Sequence, residues 1–288
     1  MRHDLRRGAA LMLLAMFLLT LMGALVKEVT QRVPFVEVAC IRNLLTLPVV
    51  VALAWRKGGL VWRTRRFGGH LARASTGICG MLMAFFALSA LPLADQTVLS
   101  YTQPLFLILL AIPVLGERPT PRRWAAVLLG FGGVLVVALG QGIAGGQAPA
   151  WIYGLAVAQG LVAAVTVLLV RQLSGTESST TIVLWQSVLM AALSGLPLPF
   201  LWQTPGGTDL LLLLAIGLVG GLGQVVLTES YASAQVSALG PYFYSGLIWA
   251  MLLGLLLFGE PPGVAMLAGS VLIVGAGLMI LPGELRKP

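Results

Sequence analysis

Charge is scarce in this chain. Asp, Glu, Lys and Arg make up only 10% of its 288 residues, while 58% are hydrophobic. Soluble domains carry roughly 25% charged residues, and a water-facing surface cannot be covered with so few. Histidine occurs only at His3 and His70, and cysteine only at Cys40 and Cys79. Neither cysteine has metal-ligand neighbours, so no zinc or thiol-redox motif is present. Both lie in apolar runs and are expected as free, buried thiols. No G-x-x-x-x-G-K-[ST] occurs, which excludes an ATP-driven motor of that type within this chain. Ser-His-Asp sets and H-E-x-x-H are missing from the apolar runs as well. Neither an enzyme nor a bound metal or cofactor is expected.

Long uncharged runs are what the chain does have. Gly8–Val26, Ala74–Ala94, Gln96–Gly116, Leu210–Thr228 and Pro261–Gly283 contain no charged residue. Each is about the length a helix needs to cross the ~30 Å hydrocarbon layer. Near-continuous hydrophobicity favours helices, because a membrane barrel alternates over ~10-residue segments. The fold class is therefore an all-α integral membrane protein. Proline and glycine at the joins ("LPLAD", "GERPTP", "GGQAP", "TPGG", "GEPPG") divide it into ten spans, at 8–27, 34–55, 72–91, 95–115, 121–140, 150–171, 180–201, 210–230, 235–258 and 262–281. No A-x-A type cleavage site accompanies the first run, so it is expected to remain as a helix.

Lys and Arg sort by side. Fifteen fall at the termini and in the even-numbered connections, whereas the opposite side has only Lys27 and Arg32, and Arg42 lies inside the second span. The positive-inside rule then puts both termini in the cytoplasm of a bacterial-type inner membrane. The net charge of +8 is thus a topology signal and a contact for anionic lipid headgroups. It does not make the folded basic face that nucleic acid requires.

A shift of 143 residues carries Gly77 to Gly220, Gly80 to Gly223, Tyr101 to Tyr244, Gly116 to Gly259, Glu117 to Glu260 and Pro119 to Pro262. The chain divides at 1–143 and 144–288 into five spans each. Five is odd, so the second half enters the membrane from the opposite side, as in the inverted repeats of secondary transporters.

The fourth span contains "VLSYTQPLF". A proline there removes one backbone donor and crowds the carbonyl four residues back, so Pro104 loosens the bond to Ser100. Pro241 does the same to Ser237 in the ninth span. Both are expected hinges. A freed carbonyl in lipid must find a partner or a wet cavity. Gln96, Ser100 and Gln103 follow one another at helical spacing. They read as a cavity-facing strip, with interhelical hydrogen bonding as the alternative. Phe85, Tyr101, Trp185, Tyr242 and Tyr244 read either as core packing or as the lining of a pocket for an aromatic solute. Trp151 and Trp202, at span ends, read as interface anchors. Gly217 and Gly221 form a small-xxx-small pair that permits close helix approach. Gln224 beyond them is a candidate pocket residue, and Gln159 and Gln186 are weaker ones. Arg42 is the costliest residue to bury. It would suit a substrate carboxylate or, alternatively, bond carbonyls structurally. Asp95 reads as a helix N-terminal acid, and Glu117 and Glu260 as structural acids bonding the start of the next helix. A proton-coupling carboxylate deep in the membrane is not evident.

At "PFVEVACIRNLLTLPVV" and "ALSALPLADQTVLSYTQPLFLILLAIPVLGERPTPRRWAAVLLGFGGVLVV" the chain resembles the drug/metabolite transporter superfamily. Its echo is "YASAQVSALGPYFYSGLIWAMLLGLLLFGEPPGVAMLAGSVLIVGAGLMI". Within the superfamily it resembles the EamA-type ten-helix exporters, most of all those of aromatic amino acids. The resemblance implies a central cavity lined by spans 1, 3, 4, 6, 8 and 9, with 5 and 10 outside as scaffold. It also implies export of a small organic solute by alternating access around that cavity. A broad drug or cation exporter is the alternative. A passive channel would need polar stripes along whole helices, and a lipid-modifying enzyme would need polar groups gathered at one interface; the sequence has neither. The expected partners are the solute and membrane lipid. A monomer is expected, with a homodimer left open.

Overall fold

Apolar helices gain nothing from the hydrophobic effect against one another in lipid, so they associate where small residues let backbones come close. The computed structural model describes residues 5–56, 62–115, 120–142, 148–177, 179–233, 239 and 242–284. Among them are twelve helical segments. Three precede the first break: α1 (Leu5–Val29), α2 (Phe35–Arg56) and α3 (Phe67–Ala90). The fourth span divides into α4 (Leu93–Ser100) and α5 (Gln103–Leu115), and α6 (Pro121–Gly142) and α7 (Ala150–Ser174) follow. The seventh span also divides, into α8 (Ser179–Gly195) and α9 (Leu198–Leu201), with Pro197 and Pro199 at the break. The rest are α10 (Gly207–Ser233), α11 (Ser245–Phe258) and α12 (Val264–Glu284). Five of these helices are long and apolar enough to cross a membrane alone. His3, Glu117, Ser237 and Pro241 lie outside the described residues.

The break in the fourth span falls where Pro104 predicts it. Tyr101 and Thr102 bond back three residues, N–H to the Val98 and Leu99 carbonyls at 3.2 and 3.1 Å, in place of the four-residue step of an α-helix. A second break lies at the repeat-related position. Tyr244 precedes α11 with φ −70° and ψ −8°, close to the φ −72° and ψ 3° of Tyr101. The two tyrosine rings meet edge to face, with centroids 5.1 Å apart.

The packing of the two halves is matched. α1 lies along α10, and α3 along α7. Gly223 faces Leu19, and Gly80 faces Val162; the shift of 143 carries one pair onto the other. Helix directions follow from the contacts. Ser230 Oγ donates to Gly8 O at 2.8 Å while Gly220 faces Met22, so α10 runs against α1. Gly69 meets Leu173 and Gly80 meets Val162, so α7 runs against α3. α1 and α3 end together, where Gln31 Nε2 donates to Ser89 O at 3.1 Å. α7, the counterpart of α1, therefore runs opposite to it.

Glycines set the closest approaches. Gly217 faces Leu45 and Gly221 faces Val49, which seats α2 against α10. The pair α6 and α12 touches backbone to backbone: a Cβ on Gly269 would stand 2.6 Å from Gly133 O. Cys40 is buried, but Cys79 is exposed, which corrects the expectation that both thiols are covered. Position within a span does not say which face a residue takes.

Gly269→Val is expected to lower stability by about 1–3 kcal/mol through overpacking. Gly275→Ala, on the same helix with open space around it, should be neutral or gain up to about 1 kcal/mol. Thermal unfolding in detergent measures both, and equal effects would contradict the packing described.

Candidate functional site

Polar groups in the spans gather at three places. The first is the crossing of the two breaks. Tyr101 and Tyr244 are both buried there, beside half-buried Phe243, whose ring centroid is 5.4 Å from that of Tyr101. Tyr101 Oη donates to Phe243 O at 3.4 Å. Tyr244 turns toward α12, where its hydroxyl fills the space a side chain at Gly277 would need. Both tyrosines therefore belong to the packed crossing itself. Thr102 is buried, donates to Leu99 O at 2.7 Å and lies against Gly160 of α7. Ser100 and Gln103 are half-buried, and Ser100 Oγ returns a 2.7 Å bond to Thr97 O. The break interrupts the helical register between Ser100 and Gln103, so Gln96, Ser100 and Gln103 do not form one continuous strip. Around the crossing, Gln159 Oε1, Ser245 Oγ and Trp249 Nε1 are buried without a hydrogen-bond partner. Pro104 is half-buried beside the break.

The second place is Arg42. It stands seven residues into α2, about 10 Å along the helix. Its Nη1 donates to Asn43 Oδ1 at 3.0 Å, and Asn43 Nδ2 donates to Ser194 Oγ of α8 at 3.5 Å. Its Nε is buried and unpartnered, near Gly220 of α10 and Met22 of α1. Among the described residues no acidic group pairs with it. Gln224 follows one turn after Gly220 and is exposed. Tyr242, half-buried, packs with Met12, Met16 and Leu239.

The third place was not foreseen. Lys27, at the end of α1, lies 2.7 Å from Glu260 Oε1 and donates to Leu91 O at 2.5 Å. It also sits 5.3 Å above the Phe258 ring. Glu260 Oε2 accepts the Leu93 N–H at 3.1 Å. Glu260 thus caps the first residue of α4, a helix far back in the chain, not the start of the helix that follows it. Asp95 is in the first turn of α4, as expected of an N-terminal acid. Lys27 belongs to the first half and Glu260 to the second, so this pair ties the halves together at one end. Nearby, the loop residue Arg32 bonds Asp209 Oδ1 and Glu28 Oε1 at 2.8 and 2.9 Å. Asp209 first and Glu28 second hold its guanidinium above the ordinary range.

Two predicted pocket residues fall elsewhere. Trp185 joins Trp62, Phe67 and His70, with its Nε1 donating to Trp62 O at 3.3 Å. Phe85 is buried fifteen residues beyond His70 on α3, about 22 Å along the helix. The structure does not bring Trp185 and Phe85 into one small site. Phe86, beside it, stacks on Trp151 with centroids 5.6 Å apart.

A family model, the EamA-like transporter family, matches the chain twice, at residues 6–139 and 150–281. The chain belongs to this family. The EamA chain is 30% identical to a riboflavin transporter of Rhizobium johnstonii, over 97% of its own length and 92% of that protein's. It is 29% identical to the pseudopaline exporter CntI of Pseudomonas aeruginosa, covering 94% and 95% of the two chains. It is 27% identical to an S-adenosylmethionine uptake transporter of Rickettsia felis, covering 93% and 92%. A crystal structure with a TM-score of 0.68 and 22% identity, covering 97% of this chain and 99% of its own, shares the fold. This EamA protein is a membrane transporter of small metabolites, not an enzyme. None of these three relatives is named for an aromatic amino acid.

Breaking the Lys27–Glu260 pair from one side is expected to cost more than removing it. With the side chains 11% and 25% exposed, Lys27→Met should lose about 1–3 kcal/mol by leaving Glu260 without its cation. Lys27→Met combined with Glu260→Gln should lose less. Thermal unfolding of the three proteins measures the coupling, and strict additivity would refute it.

Proposed function

We propose that this transporter moves a small organic metabolite bearing an anionic group, by alternating access between two inverted five-helix halves divided near residue 143. The Arg42 guanidinium, with its Nε buried and unpartnered, carries the reading. A charge within the bilayer is expensive unless paired, and this one has no acidic partner among the described residues. A planar guanidinium matches a carboxylate or phosphate through paired hydrogen bonds. The same unpaired cation would repel a cationic solute, which disfavours the broad cation exporter. Amino acids satisfy the chemistry. Aromatic ones are favoured by the unpartnered Trp249 Nε1 and by Phe17, 5.1 Å away by ring centroid, which place an aromatic, polar surface beside the crossing. The breaks at Tyr101 and Tyr244 supply the points about which the halves rock, with Pro104 fixing the first.

The charge distribution supports cytoplasmic termini in a bacterial-type inner membrane. The relatives include both an exporter and an uptake transporter; export is the direction we propose, the Lys27 end then facing outward.

The experiment is flux in proteoliposomes with labelled phenylalanine, riboflavin and S-adenosylmethionine. Arg42→Gln is expected to slow transport of a carboxylate-bearing solute by about 10- to 100-fold, the equivalent of one charge-assisted contact worth about 1.5–3 kcal/mol. Arg42→Lys should recover part of the rate. Unchanged flux in Arg42→Gln would overturn the anionic reading.

A further inference from the structure

We propose that Asp95 is a proton-binding site at the Lys27 end of the bundle. Asp95 is 1% exposed, and its Oδ2 has no hydrogen-bond partner. It lies within electrostatic reach of Lys27 and Glu260, and Tyr153 of α7 lies within reach of it. The neighbouring polar groups are already committed. Lys27 spends its donors on Glu260 Oε1 and Leu91 O and faces the Phe258 ring with the remainder. Glu260 uses Oε1 for Lys27 and Oε2 for the Leu93 N–H. These two charges cancel, so an ionised Asp95 would be a single uncompensated charge in a dry place.

Among the described residues no other charge reaches it. α3 carries Arg73 and His70 at its far end, α11 has no charged residue, and Glu284 ends α12 about 30 Å from Val264. On α7, Arg171 is eighteen residues beyond Tyr153, about 27 Å along the helix. On α1, Glu28 is taken by Arg32 at 2.9 Å. The N-terminal dipole of α4 favours the carboxylate, but this effect is weaker than the cost of burying an unpaired ion. A neutral carboxyl is the form that fits this buried setting.

The step is simple in its balance. One proton from water at the Lys27 end joins Asp95 Oδ2, and it returns to water when the carboxyl ionises. Solute binding is not part of the step, so the inference survives or fails separately from the anionic reading.

The test uses the full chain in liposomes, without solute. Infrared difference spectroscopy between acidic and alkaline buffers should show a protonated-carboxyl band that persists at neutral pH in the wild type. Asp95→Asn should remove it, and Asp95→Glu should shift its frequency without abolishing it. Glu37 is a second buried carboxylate, 0% exposed with an unpartnered Oε1, so Glu37→Gln must leave the Asp95 band in place. If Asp95→Asn does not fold, the Asp95→Glu shift decides alone. A neutral-pH band indifferent to both changes at Asp95 would overturn the proposal. So would a band lost on adding sodium at constant pH, which would make the site one for a metal cation.

Discussion

Water does not push these helices together, so the fold depends on how near two backbones can lie. Glycine sets that distance. On α10 successive glycines serve two neighbours: Gly217 and Gly221 receive Leu45 and Val49 of α2, while Gly220 and Gly223 receive Met22 and Leu19 of α1. On α3, Gly80 receives Val162 of α7 in the matching way. Gly133 and Gly269 hold α6 and α12 together at the periphery, in keeping with a scaffold role for the fifth and tenth spans. The gain from such contacts is dispersion and weak carbonyl interactions rather than solvent release. That explains why 35 glycines can sit in a largely helical protein despite their poor helix propensity.

Much of this was legible in the sequence because its signals are local. Run length and charge placement set the spans. Pro104 marked the break of the fourth span to within three residues, since a missing donor acts one turn back. The small-xxx-small pair on α10 marked a close approach. The candidate site was less legible. Tyr101 and Tyr244 correspond through the repeat, but sequence could not tell that their rings would meet each other and that Tyr244 would lean on Gly277. Trp185 looked like a pocket residue because it is an aromatic within a span. Its depth depends on the connection at residues 62–66, which docks on the turn after α7 and on α8, through Thr64 to Glu177 at 2.8 Å and Trp62 to Trp185. Cys79 gave no sign of its face.

The Lys27–Glu260 pair escaped notice for a different reason. Each residue has an adequate local reading: a flanking cation at a span end, and an acid before two prolines. Only the fold brings them within 2.7 Å, and only there does the buried neighbour Asp95 become conspicuous. Charges near the ends of membrane helices are usually assigned to topology; here one of them also holds an interface.

The repeat makes the two ends of the bundle comparable, and they are not alike. The shift that carries Glu117 to Glu260 carries Lys27 to Val170 and Asp95 to Ala238. Had the halves been identical, the two conformations of a rocking bundle would be mirror states of equal energy, populated half and half. The Lys27 cation and the buried Asp95, matched by Val170 and Ala238 in the other half, remove that degeneracy. For the alternating-access cycle proposed above, this means one posture is favoured at rest, before any solute arrives.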